Sequence, residues 1–272
     1  MSSPWIFISP SSRGISHALT RHLLRTTSLP ILASTRASDP SSAKSSLLAD
    51  LPNAEDIAPR LSLVQLDVTD ESSVSAAADR ARELFPPKTH HLRLACALPG
   101  LLYPEKKPAQ VDMDKALDTF KINTLGPLVL MKHFAELLPS KATDLEPTSE
   151  NDELRLSPSH AIWLSMAARV GSTTDNRAGG WYSYRASKAG VISLSKSLDR
   201  YLEARSGSKA LAVGYHPGTV KTGLSKGFWN SVEEGKLFST EYAAERMAEV
   251  LAGLETEQRG KTWDWKNEEV LP

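Results

Sequence analysis

Short apolar runs and longer amphipathic stretches alternate along the chain. The runs Trp5 to Ser9, Ile31 to Thr35, Leu61 to Leu66, Leu92 to Ala97, Ala161 to Ser165 and Leu211 to Tyr215 are rich in branched side chains. They are mainly apolar, with few polar residues such as Ser62, Gln65 and Arg93 among them, which marks strands buried on both faces. Between them, Ile15, Leu19 and Leu23, then Val74, Ala77, Ala78 and Ala81, recur at helical spacing. Strand after helix in this order predicts an α/β protein: a Rossmann-like, doubly wound parallel sheet flanked by helices. At 272 residues the chain suits a single domain of that kind. One stretch, 139–158, breaks the rhythm. It is rich in Ser, Thr, Asp, Glu and Pro and has few apolar residues to bury, so it is expected to be an exposed loop.

Composition narrows the classes of function. Lys plus Arg and Asp plus Glu both number 32, so there is no cationic excess to hold a nucleic acid or an anionic membrane. No apolar run approaches the roughly 20 residues needed to span a bilayer. The N-terminal residues lead straight into the first strand without a basic, long apolar leader, which with the single cysteine, Cys96, predicts a cytoplasmic protein without disulfides. His90 and His91 lack a paired ligand spacing, and no metal site is expected.

Two segments carry candidate chemistry. After the first strand come Ser9, Pro10, Ser11, Ser12, Arg13, Gly14, Ile15 and Ser16, with a helical pattern from Gly14 to Leu24. A helix starting there would present free N–H groups and its positive end to a pyrophosphate. Further on, Tyr184 and Lys188 stand four apart at the head of a helical pattern continued by Val191, Leu194 and Leu198. That spacing places both on one helix face, where an ammonium beside the phenol would lower its pKa toward the range of an acid/base catalyst.

The run Tyr184-x-Ala186-Ser187-Lys188-Ala189, following a fifth strand, resembles the short-chain dehydrogenases/reductases. Other segments extend the resemblance over nearly the whole chain. The first turn resembles that family's Thr-Gly-x-x-x-Gly-x-Gly, with Gly14 alone kept and Pro10 and Ser16 standing in place of glycines. Leu66-Asp67-Val68 resembles its Asp-Val, and Asn123-Thr124-Leu125-Gly126 its Asn-x-x-Gly. Pro217-Gly218-Thr219-Val220-Lys221-Thr222 resembles its Pro-Gly-x-Val-x-Thr. In place of its Asn-Asn-Ala-Gly stands Ala97-Leu98-Pro99-Gly100. Arg169-Val170-Gly171-Ser172, the run Gly179 to Arg185 and Trp263-Asp264-Trp265 are most similar to a C-factor-like subgroup.

The resemblance implies a catalytic tetrad of Asn123, Ser165, Tyr184 and Lys188, with Ser172 as the alternative serine. It implies that Ser11, Ser12, Arg13, Gly14 and Ile15 meet the dinucleotide phosphates and that Asp67 lies near the adenine. Lys188 would hold the ribose, Pro217, Gly218, Val220 and Thr222 would close over the nicotinamide, and the segment 222–240 would cover the substrate. Thr35 stands where an NAD-preferring fold carries an acidic residue, and Arg36 and Arg13 offer cations to a 2′-phosphate, which favours NADP(H) over NAD(H). The activity implied is hydride transfer between that cofactor and a small carbonyl or alcohol, in a homodimer or homotetramer. The altered glycines keep open a second reading: a non-redox catalyst or regulatory binding protein on the same scaffold.

Overall fold

All 272 residues are described by the structure, a computed structural model. The chain runs β1 (Ser3–Ser9), α1 (Gly14–Thr26), β2 (Ile31–Thr35), α2 (Ser41–Leu48), α3 (Ala54–Ile57), β3 (Leu61–Gln65), α4 (Glu71–Leu84) and β4 (His90–Ala97). It continues through α5 (Met113–Phe120), a π-helical turn (Lys121–Leu125), α6 (Gly126–Phe134), β5 (Ala161–Met166), α7 (Tyr182–Ser206) and β6 (Ala210–His216). Last come β7 (Thr219–Val220), β8 (Leu237–Phe238), α8 (Thr240–Ala252), β9 (Thr262–Asp264) and β10 (Glu269–Val270).

The main sheet has the order β10-β9-β6-β5-β4-β1-β2-β3, parallel except for the β9–β10 pair. From β1 the chain winds outward to β2 and β3, then returns to β4 on the other side of β1. The strand order therefore reverses between β1 and β4, and in such sheets ligands bind in the crevice beyond the carboxyl ends of the strands at that point. Alternation along the strands feeds two cores. Ile6 and Ile8 of β1 face α1, α2 and α8; Trp5 and Phe7 face α4, α6 and α7. Phe7 stacks on Phe134 with ring centroids 4.0 Å apart, and Trp5 on Phe85 at 4.5 Å. The expected doubly wound fold is present, with α8, β9 and β10 added beyond the periodic runs.

The stretch 139–158 is a loop, mostly exposed or half-buried with positions 139 and 156 buried, and it carries tethers that its composition did not announce. It lacks regular structure but is tied beneath the sheet by Arg93, a buried residue of β4 whose guanidinium donates to the carbonyls of Ser157 (2.6 Å) and Glu146 (2.7 Å). Ser3 Oγ donates to the Glu146 carboxylate, Leu154 N–H donates to Thr26 O, Asp152 accepts from Ser28, and Leu156 is buried. A polar composition hid the strap because its partners are backbone groups of distant segments.

Candidate active site

The α5–α6 rod is interrupted at Asn123 for a local reason. An α-helical bond would run from the N–H of residue 127 to the Asn123 carbonyl, but Pro127 has no N–H. The backbone loosens into a π turn, with Gly126 N–H reaching back to Lys121 O. Asn123 is thereby turned inward and fully buried. Its Oδ1 accepts from Leu101 N–H (2.7 Å), and its Nδ2 donates to Leu101 O (2.8 Å) and Ser187 Oγ (3.0 Å). The Ser187 hydroxyl in turn donates to Tyr184 O (2.8 Å), and Thr124 Oγ1 donates to Ser187 O (2.9 Å).

Tyr184 and Lys188 lie on one face of α7, both buried, with Lys188 Nζ 5.8 Å from the Tyr184 ring centre. Lys188 Nζ donates to Met166 O at the end of β5 (2.7 Å). The helix can press against the turn after β5 because residue 171 is glycine: a Cβ there would sit 2.6 Å from the Lys188 carbonyl carbon. Burial pushes Lys188 down to about 7 and raises the Tyr184 phenol above its ordinary value. This corrects the expectation that the lysine lowers the tyrosine. Desolvation acts on both groups, and the ammonium is directed to a backbone carbonyl.

The structure brings Asn123, Tyr184 and Lys188 into one network through Ser187, Leu101 and Met166. It does not bring Ser165 into it. The Ser165 hydroxyl is fully buried and accepts from the Trp163 indole N–H (3.2 Å), which leaves its own proton to donate. Ser172 is likewise buried, accepting from Asp175 N–H (3.0 Å). Glu105, in the turn after β4, was not singled out in the sequence. Buried at the start of α7, its carboxylate accepts from Ser183 N–H (2.8 Å) and Ser183 Oγ (2.6 Å). Lone acidic residues are common, and nothing local marks one whose partner lies 78 residues on.

At the first turn, Gly14 adopts a left-handed φ of +62° that favours glycine. Thr222 packs over it, its methyl 3.4 Å from where a Gly14 Cβ would lie, and Leu224 covers Gly100 in the same way at 3.3 Å. The turns after β1 and β4 and the segment after β6 thus converge at the switch point. Arg13, just before α1, makes no side-chain cap, so the first N–H groups of the helix have no capping side chain. Ser12, Arg13 and Arg36 are exposed, and Ile15 is half-buried. Ser11 departs from expectation: its N–H and its hydroxyl both donate to Ser34 O (2.9 Å each), so it shapes the turn and has no donor left for a phosphate. Asp67 Oδ1 accepts from the N–H and hydroxyl of Thr69, leaving its other oxygen free. Pro217 and Gly218 end β6, and Val220 pairs with Phe238. In the 222–240 segment, Ser225 holds the turn by donating to Val220 O while accepting from Trp229 Nε1 (2.9 Å).

An uncapped helix start, a glycine cradle faced by Thr222 and two exposed arginines fit a phosphorylated dinucleotide. No group of His, Cys, Asp and Glu in the structure could hold a metal ion. No helix is long and apolar enough to cross a membrane.

No family model matches the chain. It is 29% identical over 196 residues, 72% of this chain and 74% of the relative, to the 1-hydroxy-2-glutathionyl-2-methyl-3-butene dehydrogenase of Rhodococcus sp. (strain AD45). The NADPH-bound carbonyl reductase from chicken fatty liver superposes with a TM-score of 0.76 at 23% identity, over 100% of both chains. A short chain dehydrogenase from Burkholderia cenocepacia J2315 in complex with NADP gives 0.72 at 17% identity, over 97% of this chain and 96% of that one. The fold is that of the short-chain dehydrogenases/reductases. The resemblance to that family read from Tyr184 to Ala189 stands.

Proposed function

We propose that this chain catalyses the reversible, NADPH-dependent reduction of a small carbonyl compound to an alcohol. The observation that carries this reading is the placement of Tyr184 and Lys188, one helical turn apart, at the carboxyl end of β5, with the Gly14–Thr222 cradle following the carboxyl end of β1 in the same parallel sheet. Its support includes the NADPH bound by the chicken carbonyl reductase and the NADP bound by the Burkholderia enzyme. The Rhodococcus relative is by name a dehydrogenase.

NADPH, when bound, supplies the hydride. Gly14, Ile15, Ser12 and Arg13 would hold its phosphates, Arg13 and Arg36 the 2′-phosphate, and Asp67 the adenine. Val220 and Thr222 would hold the carboxamide, with Pro217 and Gly218 shaping that segment and Lys188 on the ribose. NADH would bind the same residues without the 2′-phosphate contact. Tyr184 gives its phenolic proton to the carbonyl oxygen as the carbonyl carbon is reduced. Burial raises the phenol, so Tyr184 carries its proton at neutral pH as a weak acid and gives it up only to the strongly basic alkoxide that hydride addition creates. Lys188, brought down to about 7, returns a proton through the same face of α7. Asn123 keeps the two in register through Leu101 and Ser187. The segment 222–240 would cover the substrate.

Loss of NADPH absorbance with a panel of aldehydes, ketones and quinones tests the reading. Turnover that disappears in Tyr184→Phe, with NADPH still bound, supports it. NADPH binding without turnover of any carbonyl would favour the regulatory or non-redox reading, which the engagement of Ser11 with Ser34 makes worth the comparison. Leu117, Phe120, Leu125 and Leu128 remain exposed along α5, the π turn and α6, which supports a homodimer or homotetramer. Sedimentation measures that directly. A cytoplasmic location is the compartment that fits a buried, unpaired Cys96.

A further inference from the structure

We propose that Trp181 is the specificity-determining residue of the site and that it selects carbonyl compounds bearing a planar aromatic ring. The inference rests on the carbonyl-reductase reading for its chemistry, but the recognition it describes is one of binding.

Three residues in a row, Gly179, Gly180 and Trp181, have left-handed φ angles of +63°, +66° and +49°. Glycine adopts that region freely; a bulky aromatic residue does so rarely, and such a backbone persists only where its surroundings impose it. Here Glu105 imposes it. The Trp181 N–H donates to Glu105 O (2.6 Å), and the Glu105 carboxylate clamps Ser183 two residues on. A Cβ on Gly180 would lie 3.2 Å from the same Glu105 carbonyl, so the turn is pressed against this clamp.

The unusual backbone delivers the indole to one place. Its ring stands edge-on to Tyr184, centroids 6.2 Å apart and planes at 81°, and its other neighbour is Phe228 at 4.8 Å. Phe228 belongs to the short 3-10 segment Lys226–Ser231, apart from the sheet. Because the indole borders the Tyr184 ring, a substrate whose carbonyl reaches the Tyr184 hydroxyl would bring its substituent toward the indole. An aromatic substituent can take the position of Phe228 and replace one aromatic contact with another. A saturated ring of the same size makes no such contact, so it is discriminated against.

The test compares benzaldehyde with cyclohexanecarboxaldehyde, in the presence of NADPH, on the wild type, Trp181→Gly and Trp181→Phe. Trp181→Gly removes the indole and suits the left-handed backbone but loses the contacts with Tyr184 and Phe228 and gains unfolded-state freedom, so its melting temperature is measured alongside and some lowering is expected. The wild type should prefer the aromatic aldehyde in kcat/KM by about three- to tenfold, the range of one aromatic contact. Trp181→Gly should abolish that preference, and Trp181→Phe should restore part of it. An equal preference in Trp181→Gly, or none in the wild type, overturns the proposal. If neither aldehyde is reduced, the wider panel of aldehydes, ketones and quinones decides the oxidoreductase reading by itself. The ratio of the two dissociation constants, measured by calorimetry on the same three proteins, then decides the role of Trp181. Should Trp181→Gly fail to fold, Trp181→Asn, which also tolerates this backbone, takes its place.

Discussion

Around Tyr184, groups from distant segments are tied to one another: Leu101 to Asn123, Asn123 to Ser187, Glu105 to Ser183 and Lys188 to Met166. Around Gly14 the ties are short or serve the turn itself: Ser11 to Ser34, and Ser16 Oγ to Arg13 O. The difference follows from what each region has to hold. Proton transfer needs side-chain atoms fixed to within fractions of an ångström, which only clamps from several directions provide. A phosphate is held by backbone N–H groups at a helix start, which survive a change of side chain. Pro10 and Ser16 can therefore replace glycines while the helix start stays open, whereas the tyrosine face keeps its motif.

Four perturbations bear on that contrast, from the largest effect downward. Tyr184→Phe removes the proton donor and should lower turnover by about 10²- to 10⁴-fold while NADPH binding, read by fluorescence, stays near that of the wild type. An equal loss of NADPH affinity would mean that the two regions are not separable. Asn123→Ala breaks three buried hydrogen bonds and leaves both backbone groups of Leu101 without their partner, so urea unfolding should show a loss of about 2–4 kcal/mol. Activity should fall with it. No comparable loss is expected from Ser12→Ala in the exposed cofactor turn.

The third concerns pH. The unfolded chain binds the Lys188 proton with the usual pKa of 10.5 and the folded protein with one of about 7. Between these values the unfolded state carries the extra proton, so this residue makes stability rise as pH increases from about 7 toward 10.5. Unfolding curves at neutral and alkaline pH should therefore converge in Lys188→Met relative to the wild type. Arg36→Ala has the smallest effect: a drop in the NADPH over NADH preference of about tenfold, the worth of one charge-assisted contact of about 1.5 kcal/mol. An unchanged preference would move the 2′-phosphate to Arg13 alone.

The element order was legible because most strands, covered on both faces, read as short, mainly apolar runs and the helices between them as periodic ones. The kink at Asn123 was legible from Gly126 and Pro127, since a missing N–H acts locally. The surroundings of Ser165 were not, because a serine at a strand end reads the same whether its hydroxyl faces a substrate or the Trp163 indole two residues back. Glu105 and Arg93 were illegible for a related reason. Periodicity reports which residues are buried, not which distant carbonyl or hydroxyl a buried charge will meet. The rise in the Tyr184 pKa likewise depends on how tightly α7 is enclosed, a quantity that spacing alone does not carry.

Arg93 has a consequence for chain continuity. It holds carbonyls at Glu146 and Ser157, on either side of the tip where Glu150, Asn151 and Glu153 are exposed. A single cut by a protease at that tip would leave each new end gripped by the same guanidinium, with the sheet and both halves of the site still joined through their buried surfaces. Covalent linkage between the half that carries Gly14 and the half that carries Tyr184 is thus expected to be dispensable once the molecule has folded, so a chain nicked at the tip should keep its two fragments together on a sizing column.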